Sequence, residues 1–454
     1  MLIPLAAVLV LASSIALLLS PLWGMVLTFV SKPVIDTTWD YGVSGTGIKL
    51  LYIVSLVVPA LMLPRILGTD FRVRQRRSAQ LIAVVYLVSQ VFGSHALLVH
   101  GDYMSFAEVW LRALNGYVGF FLFVYCCRET RTLRILLLAI IIAGLFPLAM
   151  GLYQNLAGVG LRESQTVGLV RKIGVYHDAV SFRFYGFQSI AAVILFLSYF
   201  RSSRKTVDYA LLGYMAAWTY VLYFIYSKAA VMTGILWFLT WPLLTRRYRY
   251  LLGGLVVGIV LVATSLAVRP LDELQQLFSK EIAFQSGEAH DARRMLAGRG
   301  FIWESSMDDW WSLPFITKLA GDGEMRPVHN EFLRVLFMSG LVGLCCHVCV
   351  ICAIAWILGR RAIRNRSALD IGALMVFEMY LVDCIGLHPG WYPSYQWFVW
   401  GIIGMALQSG YGQRWQVCPR TLSNMMTIAS DRACFGSVVT PGGGRPPVRC
   451  DGLT

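Results

Sequence analysis

Apolar runs of about 20 residues, each long enough to cross a hydrocarbon core of about 30 Å as a helix, recur along almost the whole of this chain. In a bilayer the backbone must satisfy its own hydrogen bonds, so such runs read as spanning helices. The composition agrees. Of 454 residues, 57% are hydrophobic and 14% charged, with a mean hydropathy of +0.63, whereas a soluble chain carries about 25% charged residues. By length and flanking charge the runs number about twelve. They fall near 5–30, 47–64, 79–99, 106–127, 135–155, 184–200, 208–226, 229–244, 251–268, 334–358, 370–387 and 395–411. The expectation is an all-α polytopic membrane protein, with residues 1–412 forming one transmembrane domain in the lipid bilayer.

The 39 basic and 25 acidic residues leave a net charge of +14, which in a soluble chain would raise nucleic acid as a partner. The distribution of charge excludes it. Arginines gather in every second connection, at 65–77, 128–134, 201–205, 246–249 and 360–366, while the intervening connections carry the acids Asp36, Asp40, Asp102, Glu163 and Asp178. That alternation is the positive-inside pattern of a cell inner-membrane protein. It predicts both chain ends in the cytoplasm. The first run has Pro4 and no basic leader or clear cleavage site, so it reads as a retained helix. Cys345, Cys346, Cys349 and Cys352 surround His347 in one apolar run, where cysteine behaves as a small hydrophobe; no metal site is expected there.

Two connections on the acid-bearing face are long. The first, 156–181, holds Arg162, Arg171, Lys172, His177 and Asp178; the second, 269–331, is the largest polar segment. Within it Phe301, Ile302, Met307 and Trp310 recur at helical spacing, which predicts short helices at the membrane interface. From 413 to 454 periodicity is lost and Pro and Gly accumulate, as in a disordered cytoplasmic tail. Of the acids inside apolar runs, Asp383 near an outer end is expected to pair structurally, with Arg112 as the candidate partner and a direct catalytic role as the lesser alternative, and Glu378 has no assigned role. His95, His100 and His388 read as interfacial polar residues.

The most specific text is Gly321-Asp-Gly323, then a spacer, then His329-Asn330, then an apolar helix with Gly340-Leu-Val-Gly343. Phe332, Leu333, Leu336 and Phe337 follow His329 at the spacing of one buried face. On its own the His-Asn pair is a polar cap. Together with Arg299-Gly-Phe-Ile-Trp303, Arg183-Phe-Tyr-Gly186-Phe and Ser227-Lys228-Ala-Ala, the text resembles the O-antigen ligase and polymerase superfamily, the bacterial membrane glycan ligases and polymerases. The likeness covers about Arg183 to Leu344; earlier spans match only in their pattern of helices and loops. The family usually carries arginine where this chain has Lys228, so the planar fork that grips phosphate bidentately is absent there.

The resemblance implies a GT-C-like bundle whose active site lies in the 269–331 loop and faces the periplasm. It implies inverting, metal-independent transfer without a cofactor, from an undecaprenyl-diphosphate-linked glycan donor to an acceptor hydroxyl. Arg183, Lys228 and Arg299 would hold the diphosphate, and His329 would activate the acceptor. Trp303, Gly321, Gly323 and Asn330 would support them. A polymerase of O-antigen, capsule or exopolysaccharide repeat units is the leading expectation, with a flippase and a chain-length regulator as protein partners. A ligase using lipid A-core as acceptor is the alternative within the family. A lipid-linked oligosaccharide flippase or transporter is the alternative of another class; against it stand the single dominant loop and the absence of an internal repeat.

Overall fold

A computed structural model describes residues 2–40, 49–68, 77–159, 161–200, 205–246, 270–288, 290–291, 293 and 295–409, all within one unit. The expected span at 251–268, most of the 201–205 and 246–249 connections, and the 413–454 tail lie outside the described residues. The fold is helical, and seven described stretches are long and apolar enough to cross a membrane. The helices are α1 (Leu2–Leu19), α2 (Pro21–Asp36), α3 (Leu50–Leu67), α4 (Arg77–Val91), α5 (His95–Val99), α6 (Tyr103–Cys126), α7 (Thr130–Ala143) and α8 (Leu145–Ala157). A short antiparallel hairpin follows, β1 (Glu163–Thr166) and β2 (Leu169–Lys172), with Ser164 opposite Arg171. It is the one departure from an all-α chain among the described residues. Then come α9 (Ala179–Tyr199), α10 (Lys205–Tyr223), α11 (Lys228–Thr245), α12 (Pro270–Leu277), α13 (Ser279–Gln285), α14 (Met295–Ser312), α15 (Phe315–Ala320), α16 (Glu331–Asn365), α17 (Ala368–Gly386) and α18 (Pro393–Gln408).

The stretch 5–30 forms two helices rather than one. Ser20 is extended (φ −151°, ψ 117°) and Pro21 begins α2, the first-turn position that proline favours. The two helices fold back on each other, so Ser13 Oγ lies 3.1 Å from Ser31 Oγ. Arg65 donates to the carbonyls of Leu17 (2.6 Å) and Leu18 (2.9 Å), capping α1 where its unpaired carbonyls concentrate negative charge. The turn therefore sits on the arginine-bearing face, and the Leu2 end of α1 lies with Asp36 on the opposite face.

The core runs between α6 and α18. Phe120 stacks on Trp400 at 4.5 Å, and Trp397 Nε1 donates to Asn115 Oδ1 at 2.8 Å. Charges close the arginine-bearing end: Arg361 ion-pairs with Asp370 and donates to the Ser409 carbonyl at 3.2 Å. In α16, His347 turns inward to Gln90 (3.3 Å) while Cys345, Cys349 and Cys352 are exposed. At the other end the described residues of the connections 36–40, 158–178, 223–228, 270–330 and 386–393 come together. There Tyr176 donates to the Pro33 carbonyl and Gln276 to the Val167 carbonyl, both at 3.1 Å.

Candidate active site

The site face is built around a broken helix. Gly340 interrupts α16 with φ 64° and ψ −168°, a conformation that only glycine adopts readily. The break removes the intrahelical partners of the Phe337 and Met338 carbonyls. The glycine turn supplies new ones: Asp322 N–H bonds Phe337 O at 3.0 Å and Gly323 N–H bonds Met338 O at 3.1 Å. A Cβ on Gly321 would fall 2.4 Å from Met338 O, and one on Gly340 would fall 2.2 Å from Leu319 O. Gly321 and Gly323 are thus a clamp on the helix break, and the clamp sets the direction of the segment that starts at Glu331.

The His-Asn pair divides its tasks. Asn330 is the cap, its Oδ1 accepting from Phe332 N (2.9 Å) and Leu333 N (3.1 Å). His329 precedes it with φ 50°, a left-handed conformation that costs a non-glycine residue about 1–3 kcal/mol and survives only where its surroundings impose it. Two neighbours impose it. Trp303 Nε1 donates to the Val328 carbonyl at 3.1 Å, and His329 N–H donates to His388 Nε2 at 3.0 Å. The two imidazoles lie nearly parallel, 6.0 Å apart. The His329 side chain is solvent-accessible and makes no hydrogen bond among the described residues. Desolvation in its recess, and then the nearby Arg299, hold it below the usual histidine pKa, so it is a neutral base at physiological pH. His388 is buried; burial first, then Arg334 and other neighbouring cations, push it down to about 3.

Three arginines from separate segments lie near one another, and one of them, Arg299, lies near His329. Arg183, on the first turns of α9, donates to Ser227 Oγ at 2.8 Å and ion-pairs with Asp383, which also accepts from Tyr395 Oη at 2.7 Å. The pair is buried, with 4% and 1% of the two side chains exposed. This overturns the expected partnership of Asp383 with Arg112, which instead bonds Glu108 on its own helix. Arg299 lies against Gly386 at the end of α17, where a Cβ would meet its Nη1 at 2.8 Å; among the described residues it has no acidic partner. Arg171, on β2, donates to the Tyr226 carbonyl at 3.2 Å and leaves its buried Nε unpaired. Burial lowers the pKa of both, Arg299 and Arg183 adding to the effect at Arg171, and Arg183 at Arg299.

Lys228 stands apart from this group. Its ammonium is held by both carboxylate oxygens of Glu281 at 2.6 Å, over the ring of Phe278. The Ser227-Lys228 element therefore splits, Ser227 serving Arg183 and Lys228 anchoring α13. Of the three guanidiniums, only that of Arg183 has a carboxylate partner among the described residues, so positive charge is in excess near the neutral imidazole. Like charges held together in a partly desolvated recess are unfavourable until an anion enters.

The structure places Arg183 near Arg299 and Arg299 near His329, with Trp303, Asn330 and the two glycines holding the segment that carries His329. Sequence reasoning missed Arg171, His388 and Tyr395. Arg171 belongs to no motif, and its place on β2 opposite Ser164 is not marked in the sequence. For Asp383 the signal was legible, an acid in an apolar run, but its partner was not. The chain matches no known family and no curated protein.

Proposed function

We propose that this protein transfers a glycan from an undecaprenyl-diphosphate-linked donor to an acceptor hydroxyl, polymerising lipid-linked repeat units of a surface polysaccharide. The observation that carries the reading is the proximity of Arg171, Arg183 and Arg299 to one another, with only Arg183 paired to a carboxylate, Asp383, among the described residues, and with His329 neutral and accessible beside Arg299. In this reading the arginine-bearing face is cytoplasmic and the site face is periplasmic. The excess charge matches a diphosphate held at the bilayer surface.

In the transfer, the acceptor oxygen attacks the anomeric carbon from the side opposite the diphosphate and forms the new glycosidic bond. The carbon–oxygen bond to the diphosphate breaks, and its electron pair leaves with the undecaprenyl diphosphate. The acceptor proton passes to His329, whose lowered pKa keeps it free to accept. Negative charge grows on the leaving group as the bond breaks, so guanidiniums aimed at it stabilise the transition state more than the ground state.

The test is transfer in isolated membranes supplied with a purified lipid-linked repeat unit, with and without lipid A-core. A ladder of lengthening lipid-linked chains without lipid A-core is the expected result. Product only when lipid A-core is present would reassign the protein as a ligase. No product with either acceptor would overturn the reading.

A further inference from the structure

We propose that His388 is a positioning residue: its Nε2 takes the His329 N–H and thereby holds the left-handed backbone that presents the His329 imidazole to the acceptor. The inference rests on the glycan-transfer reading and deepens it. The ring of His329 makes no hydrogen bond among the described residues, so its direction is inherited from its own peptide. That peptide is strained, with φ 50°, and the N–H that must be anchored to hold it ends 3.0 Å from His388 Nε2.

If Nε2 accepts, the proton of neutral His388 resides on Nδ1. Nδ1 is buried without a hydrogen-bond partner, its nearest acid being Glu331 Oε2 at 4.0 Å. A buried donor left unpaired is costly, and an apolar residue would fill the same space without that cost. The contact with His329 is what makes an imidazole useful here. Trp391 packs against the ring at 4.8 Å, which limits its rotation. The charged groups around it are Glu331 and Arg334 on α16, Arg112 on α6 and Arg299 on α14, with His329 itself. Glu331 is engaged by Arg334, which also bonds Gln90, so the cations dominate and His388 stays neutral and able to accept.

The experiment compares His388→Gln, whose carbonyl reaches about as far as Nε2, with His388→Asn, which reaches only to the level of Nδ1. Both are assayed for glycan transfer in membranes, alone and in a His329→Ala background. His388→Asn should lower kcat by about 10- to 100-fold, the scale of misplacing a reacting group by about 1 Å, with the donor KM within about twofold. His388→Gln should recover most of the loss. In the His329→Ala background His388→Asn should change nothing further, since two residues acting through one step are not additive. Equal losses in Gln and Asn, or a loss that multiplies that of His329→Ala, would overturn the positioning role and leave His388 as packing. If His388→Asn does not accumulate in membranes, His388→Gln decides: near-native kcat is expected, and a tenfold loss overturns the role. A wild-type chain that transfers no glycan would instead overturn the parent reading, whereas active wild type with unimpaired His388→Asn would overturn only this inference.

Discussion

At the scale of single residues, the roles of His329 and Asn330 separate cleanly because the cap is already taken. Asn330 occupies the N-cap and bonds two backbone amides, so His329→Asn removes an imidazole without removing a cap. Transfer should fall by about 100-fold or more, the scale of a lost general base, with normal insertion; near-normal rates in the membrane assay would end the catalytic assignment. The pH profile follows from the same geometry. The neutral imidazole is the competent form, and burial with Arg299 lowers its pKa. The acidic limb of kcat/KM should therefore lie below about 6.5, the ordinary histidine value, with activity lost as pH falls through the lowered value. A limb above it would contradict the burial seen here. For the diphosphate, Arg299→Ala and Arg171→Ala should each cost about tenfold or more in kcat/KM, the scale of a lost charged hydrogen bond. Lys228→Arg should be tolerated, because its partner is Glu281 rather than the arginine cluster. Kinetics with graded donor check all three. His329, Arg183 and Arg299 were legible because each sits in a short motif. Arg171 was not, because its proximity to them comes from a hairpin folding over the bundle.

At the scale of elements, the broken helix is the feature on which the site depends. The apolar run around 334–358 reads as a continuous span, yet the chain turns at Gly340 and the 321–323 turn replaces the lost hydrogen bonds. The opposite outcomes of two Gly→Ala changes test this. Gly340→Ala places a methyl against backbone 2.2 Å away at a positive φ and should destabilise the protein by well over about 1 kcal/mol, read as a fall in Tm in detergent and in membrane yield. Gly213→Ala, in open space on α10, should leave Tm unchanged or raise it slightly, since alanine is the better helix former. Equal behaviour of the two would show that the break is not held by close packing. Periodicity cannot reveal such a break, because Phe337, Met338, Leu341 and Val342 remain apolar on both sides of it.

At the scale of the whole molecule, the first run decides where α1 begins relative to the end of α2. Length and hydropathy see one long apolar stretch, whereas Ser20-Pro21 turns it into a hairpin whose end is capped by Arg65. Reporters after Arg131 and Arg361 should register cytoplasm and one within 272–324 periplasm. A reporter at the start of α1 should also register periplasm. A cytoplasmic signal there would mean that the hairpin does not cross the bilayer, and a cytoplasmic signal from the 272–324 fusion would place His329 on the wrong side for the proposed chemistry.

The sequence by itself determined that the chain lives in a bilayer, which ends of its helices bear the arginines, and which short motifs meet the site face. Those properties depend on the transfer free energy of each segment, which is set locally by its own residues. Tertiary structure alone decided the pairings: Asp383 with Arg183 rather than Arg112, Lys228 with Glu281, Arg171 beside Arg299, and His388 beneath His329. Each depends on the lateral order of helices, and lipid imposes no such order. It is chosen by side-chain packing and by the need of every buried charge for a partner.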